Sequence, residues 1–165
     1  MTTKAQALAY FEQMGFPAFF QRLYAGEYAK DDITILVGCP EEYFLMTDAE
    51  QAAYSQGVLM PVIADADFST MVFHHPQQQC FIELFTEDGA VRQEYANYRQ
   101  LMFAIFCRAY DCFEDEPEAV VNICQQFQLT ASETQHWLQF LTTDNSANYD
   151  EFEAAKAAFM ASIIE

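Results

Sequence analysis

LMPVIADADFSTMVFHHPQQQCFIELFTEDG, residues 59–89, decides the fold. Three apolar runs, 59–64, 70–74 and 80–85, are separated by short segments rich in Asp, Ser, Pro and Gln. Short runs of Val, Ile, Phe and Met bounded by turn-forming residues are the signature of strands joined by hairpin loops. The stretch therefore predicts three consecutive strands. Their turns fall at Asp65–Ser69 and Pro76–Gln79, and Glu87-Asp88-Gly89 closes the third. The same stretch holds two aspartates and two histidines, so it also has to be tested as a metal or catalytic site.

Moving upstream, ITILV (33–37) and YFLM (43–46) read as further strands. Residues 4–14 place Ala7, Leu8, Phe11 and Met14 near helical spacing, and Gly15-Phe16-Pro17 interrupts them. A second helix starts at Pro17, carries Phe19, Phe20, Leu23 and Tyr24, and stops at Gly26. Thr47-Asp48-Ala49-Glu50 is a capping-box pattern that opens a short helix over 48–55. Downstream, residues 92–110 put Tyr95, Tyr98, Leu101, Met102, Ile105, Phe106 and Ala109 on one helical stripe. Pro117 starts another helix, Thr130 to Glu133 is a second capping box, and a last helix begins at Asp150. The expected class is α+β: a mostly antiparallel sheet of about five to six strands, flanked by helices, with a helical C-terminal block. The expected organisation is a single domain, 1–165, with an α+β core over 1–110 and a helical extension over 111–165 packed on it.

The charge is extreme. Acids number 25 and bases 7, a net of −18. It is spread over the chain: residues 1–90 carry 13 acids against 3 bases, and residues 91–165 carry 12 against 4. Such a chain repels nucleic acid and anionic membranes and attracts basic proteins. The 16 Phe and 9 Tyr do not indicate a single-strand binder, which also needs a positive groove. No apolar run nears the roughly 18 residues that span a membrane. The start of the sequence lacks a signal-peptide pattern, so a cytoplasmic location is expected. The five cysteines are odd in number and show no C-x-x-C spacing, as expected for free thiols.

The candidate chemistry is thin. On a strand, His74 and His75 point to opposite faces and do not ligate one metal together. Asp65 and Asp67 fall in a turn, where aspartate commonly bonds nearby N–H groups. Cys39, in VGCP, acts as a nucleophile only if the fold brings His74, His75 or His136 to it. No G-x-S-x-G, P-loop or GxGxxG occurs. The expectation is therefore no enzyme, no cofactor and no metal. The remaining candidates are acids facing a basic partner: Asp65, Asp67, Asp88, Asp111, Glu114, Asp115, Glu116 and Glu118. The last five crowd one helix–helix junction, more than one helix cap uses. Solvated helix ends are the competing reading of these acids.

GFPAFFQRLYAGEY, then GVLMPVIADAD, CFIELFTEDG and ANYRQLMFAIF, follow one another in an order that resembles the SUKH superfamily. That family includes bacterial toxin-immunity proteins and a regulator of cell-wall glucan synthesis. The resemblance runs from Gly15 to Tyr110. Pro17, Phe20 and Leu23 match the family's helix start. Pro61, Ile63 and Asp65 match the strand and turn leading into its central hairpin, and Tyr98 and Leu101 match its post-sheet helix. The chain lacks the tryptophan and glycine-rich turn that many members carry after the second helix; Trp137 lies in the C-terminal block. The resemblance implies a non-enzymatic immunity protein that binds and neutralises a cognate bacterial toxin, for instance a nuclease. The alternatives are a regulatory or scaffold module with a different protein partner, and a small enzyme.

Overall fold

A computed structural model describes residues 1–28, 32–113, 116–143 and 149–164. They form an α+β structure with one five-stranded antiparallel sheet and a helical C-terminal block. The chain divides into two compact units, Met1–Ala96 and Asn97–Glu165.

The first unit begins with helix α1 (Lys4–Met14). Thr3 and Gln6 form a reciprocal capping box at its start, and Gly15, at φ +68°, ends it in the left-handed conformation that glycine adopts without strain. Helix α2 (Ala18–Tyr24) follows Pro17 at its N-cap. Next come a 3-10 turn (Asp32–Ile35), strand β1 (Val37–Gly38), helix α3 (Glu41–Leu45) and helix α4 (Asp48–Ser55), which the expected Thr47–Glu50 box opens. The sheet is completed by β2 (Met60–Asp65), β3 (Thr70–His75), β4 (Cys80–Phe85) and β5 (Val91–Tyr95), in the order β1-β2-β3-β4-β5. Every pairing is antiparallel, with bulges at Pro61/Ile63 and Glu83/Leu84.

Both sheet faces are covered. His74 and Phe81 project to one face, where they meet Tyr10 of α1, Phe16 of the α1–α2 connection and Phe20 of α2 at ring separations of 4.9 to 6.4 Å. Ala64, Met71, Phe73, Ile82 and Leu84 project to the other, against Tyr43 of α3 and Leu59. Phe11, Phe20 and Phe73 are fully buried. Each such side chain contributes about 1.5–3 kcal/mol of hydrophobic stabilisation.

Three expectations are corrected. YFLM forms helix α3, not a strand. Glu41 and Glu42 stand in its first turn, where the helix dipole favours acids. Its burial is not alternating either, since Tyr43 is buried and Leu45 is 86% exposed. ITILV yields a 3-10 turn and a two-residue strand, with Ile35 exposed. The stripe assigned to one helix from residue 92 splits. Val91–Tyr95 pairs with β4, and the helix starts only after Asn97, whose Oδ1 accepts from the Gln100 N–H at 2.9 Å.

The second unit is helical: α5 (Tyr98–Cys112), α6 (Pro117–Gln126), α7 (Ala131–Thr142) and α8 (Tyr149–Ser162). Phe103 is its hub, with Trp137, Phe140 and Phe159 at 5.3, 5.8 and 4.9 Å. The stripe predicted for α5 is buried at Leu101, Met102, Ile105, Phe106 and Ala109. Among the described residues no helix is long and apolar enough to cross a membrane.

Candidate functional site

The hairpin order places the β2–β3 and β4–β5 turns side by side at one end of the sheet. Thr86 ties them together: its N–H donates to the Ser69 carbonyl at 2.9 Å and its hydroxyl to the Phe68 carbonyl at 2.6 Å. Asp65, Asp67, Glu87 and Asp88 therefore gather at that end.

These acids differ in what their oxygens do. Asp65 is half-buried and holds its own turn. Its Oδ1 accepts from the Thr70 N–H at 2.9 Å, and its Oδ2 accepts from the Ser69 and Thr70 hydroxyls at 2.6 and 3.0 Å. Asp67 is exposed and accepts from the Ser69 N–H at 3.2 Å; hydrogen bonding from Ser69 keeps its carboxyl below the usual range. Asp88 is exposed and accepts from the Ala90 N–H at 2.9 Å. Asp67, Glu87 and Asp88 thus present charge outward, while Asp65 turns its charge inward to the turn.

The second cluster lies in the helical unit. Asp111 ends α5 with its carboxyl held above the usual range by partial burial; Lys156 opposes this and Glu153 adds to it. Glu116 occupies the N-cap of α6 without a side-chain cap bond, and Glu118 stands in its first turn. Both are exposed. Glu114 and Asp115 lie outside the described residues.

Most of the described bases are already engaged. Lys4 pairs with Glu41 at 2.6 Å, Arg92 with Glu83 at 3.1 Å, Arg99 with Glu133 at 3.4 Å and Lys156 with Glu153 at 3.4 Å. The Arg22 guanidinium lies 5.2 Å above the Tyr28 ring. The excess acids consequently find few cations within the chain.

Sequence reading overlooked Glu83. It is 1% exposed on β4, and its Oε1 accepts from Arg92 and from the Thr70 hydroxyl, both at 3.1 Å. Its Oε2 accepts from the Tyr95 hydroxyl at 2.6 Å. The signal was legible: an acid inside the otherwise apolar CFIELF.

His74 and His75 diverge, as their strand placement predicted. His74 is buried and bonded through Nδ1 to the Tyr10 hydroxyl at 2.6 Å, whereas the His75 Nδ1 accepts from the Gln78 N–H at 3.3 Å. Among the described residues no three His, Cys, Asp or Glu side chains converge to hold a metal ion.

The groups that act on the Cys39 thiol are Lys4 and Glu41. Burial is the main cause that pushes its thiol up to about 12, with Lys4 opposing and Glu41 reinforcing. Burial also raises Cys107 to about 12 and Cys124 to about 11. A thiol so raised carries almost no thiolate at neutral pH. Cys112 is exposed. At pH 7.5 a chromogenic disulfide reagent is expected to modify Cys112 first, and Cys39, Cys107 and Cys124 about tenfold or more slowly until the chain unfolds. Labelling of Cys39 at the Cys112 rate, read by peptide mass, would show that an activated nucleophile had been missed.

No protein-family model matches the chain, and no curated protein or solved structure matches it either.

Proposed function

We propose that this chain is an immunity-type protein that binds and neutralises a basic bacterial toxin or effector through its acidic surface. One observation carries the reading: a net charge of −18, with Asp67, Glu87, Asp88, Glu116 and Glu118 exposed on turns and at a helix start, while four of the seven bases are ion-paired within the chain. The order of helix, hairpins and post-sheet helix, which resembles the SUKH superfamily, supports the same reading. A nuclease has a basic substrate groove, and an acidic protein competes for it with the phosphate backbone. Neutralisation by occupation needs no reaction, so the proposed protein is not an enzyme and uses no cofactor.

The test is capture from native lysate at low salt, followed by kinetics with the isolated partner domain. One basic effector is expected, and co-expression with this chain should relieve its toxicity. Association is expected to slow by about tenfold or more between about 20 mM and about 500 mM NaCl, because screening shortens the Debye length. A rate flat across that range would remove electrostatic steering. Capture of a cellular protein whose activity is unaffected would instead favour a scaffold or regulatory module.

A further inference from the structure

β5 ends the sheet, and among the described residues no strand pairs with its outer edge. Val91, Arg92, Gln93 and Glu94 are all exposed. An uncovered edge strand offers alternating N–H and C=O groups to an incoming chain. This edge also has apolar footing: Val91 is 57% exposed, and Phe85, at the neighbouring end of β4, is 42% exposed beneath the Arg92 guanidinium at 5.8 Å. Its charged rim is acidic, with Glu87 and Asp88 in the turn before it and Glu94 within it. The single base, Arg92, is neutralised by Glu83 at 3.1 Å. The Gln93 carboxamide donates to the Glu94 carbonyl at 2.9 Å, so one acceptor near the edge is provisionally capped by a solvent-exposed side chain that an incoming N–H can displace.

We propose that the outer edge of β5 receives an extended, Lys- or Arg-bearing segment of the partner protein as an added antiparallel or parallel strand. Backbone pairing along Val91–Glu94 supplies the binding, and the acids at Glu87, Asp88 and Glu94 select cationic side chains. A second copy of this chain is the less suitable occupant, because pairing would bring two surfaces of charge −18 together. The identity of the partner rests on the immunity reading; the edge assignment is tested apart from it.

The probe is a blocked Lys-Val repeat peptide of roughly eight residues, a length that matches an ordinary strand. Its control carries N-methyl groups on four consecutive central residues, which remove N–H donors along both edges and keep the charge. The full chain, isotope-labelled, is followed by amide shifts and hydrogen exchange. Slowed exchange at Val91–Glu94 is expected, with affinity for the methylated peptide reduced by about tenfold, the worth of losing two hydrogen bonds. Three results would each overturn the proposal: equal affinity for both peptides, no binding of either, or protection elsewhere in the chain. Concentration-dependent protection of β5 without peptide would also overturn it, in favour of self-pairing. If an effector is captured and neutralised while its footprint lies off β5, this inference fails and the immunity reading stands. Peptide pairing at β5 in a chain that neutralises no effector supports the inference alone.

Discussion

Glu83→Ala is expected to lower the unfolding free energy by about 3–5 kcal/mol, read from urea denaturation at pH 7. The reason is the setting of the carboxylate. Glu83 is 1% exposed on β4, and it is tolerable there only because donors surround it. Removing it leaves the Tyr95 and Thr70 hydroxyls without that acceptor and opens a cavity in the sheet face. The Thr70 hydroxyl also stands 3.0 Å from Asp65 Oδ2, and its one proton serves only one carboxylate at a time. Arg92→Ala is the informative contrast. Its side chain is 45% exposed, so water replaces much of what it supplies, and a loss of about 1 kcal/mol or less is expected. Tyr95→Phe is expected to fall between, at about 1.5–3 kcal/mol, because it strips a hydrogen bond to a charged, buried oxygen. If Glu83→Ala stayed within about 1 kcal/mol of the parent, the buried network would not be a determinant of this sheet.

Acidification is expected to remove about 3 kcal/mol of stability through His74 alone as the pH falls from 7 to 4. His74 is enclosed by Tyr10, Phe16 and Phe81, and burial, with the neighbouring His75 adding to it, lowers its pKa to about 4. Its unfolded value is near 6.5. The folded state therefore holds the ring neutral where the unfolded chain takes up a proton. The stabilisation is complete above about pH 6.5 and is lost as the pH falls toward about 4. We assign the neutral tautomer with the proton on Nε2, so that the Tyr10 hydroxyl donates to Nδ1. His74→Gln retains an acceptor for Tyr10 and has no proton to gain. The measurement is urea denaturation of both proteins at several pH values. The parent-minus-variant difference should shrink by about 3 kcal/mol on the acid side, other carboxylates cancelling between the two. A difference independent of pH would mean that the ring titrates at its ordinary value.

Where the signal was local, the amino-acid sequence was enough. The hairpin turns at Asp65–Ser69 and Pro76–Gln79, the capping boxes at Thr47 and Thr130, the start of α6 at Pro117 and the buried stripe of α5 each depend on residues a few positions apart. Local hydrogen bonds and side-chain spacing specify such elements without reference to distant residues. Net charge, too, is a property of composition. Tertiary structure decided the remainder. VRQEY has no strong preference and becomes β5 because β4 offers it an edge; YFLM becomes helix because Tyr43 must reach the core that Phe73 and Leu84 build. Whether an acid faces solvent, as Asp67 and Asp88 do, or is enclosed, as Glu83 is, depends on partners from other strands: Thr70 lies thirteen residues from Glu83. Composition set how many charges the chain carries, but only the pairing of distant strands, which chooses the face each side chain takes, decided which of them a partner can meet.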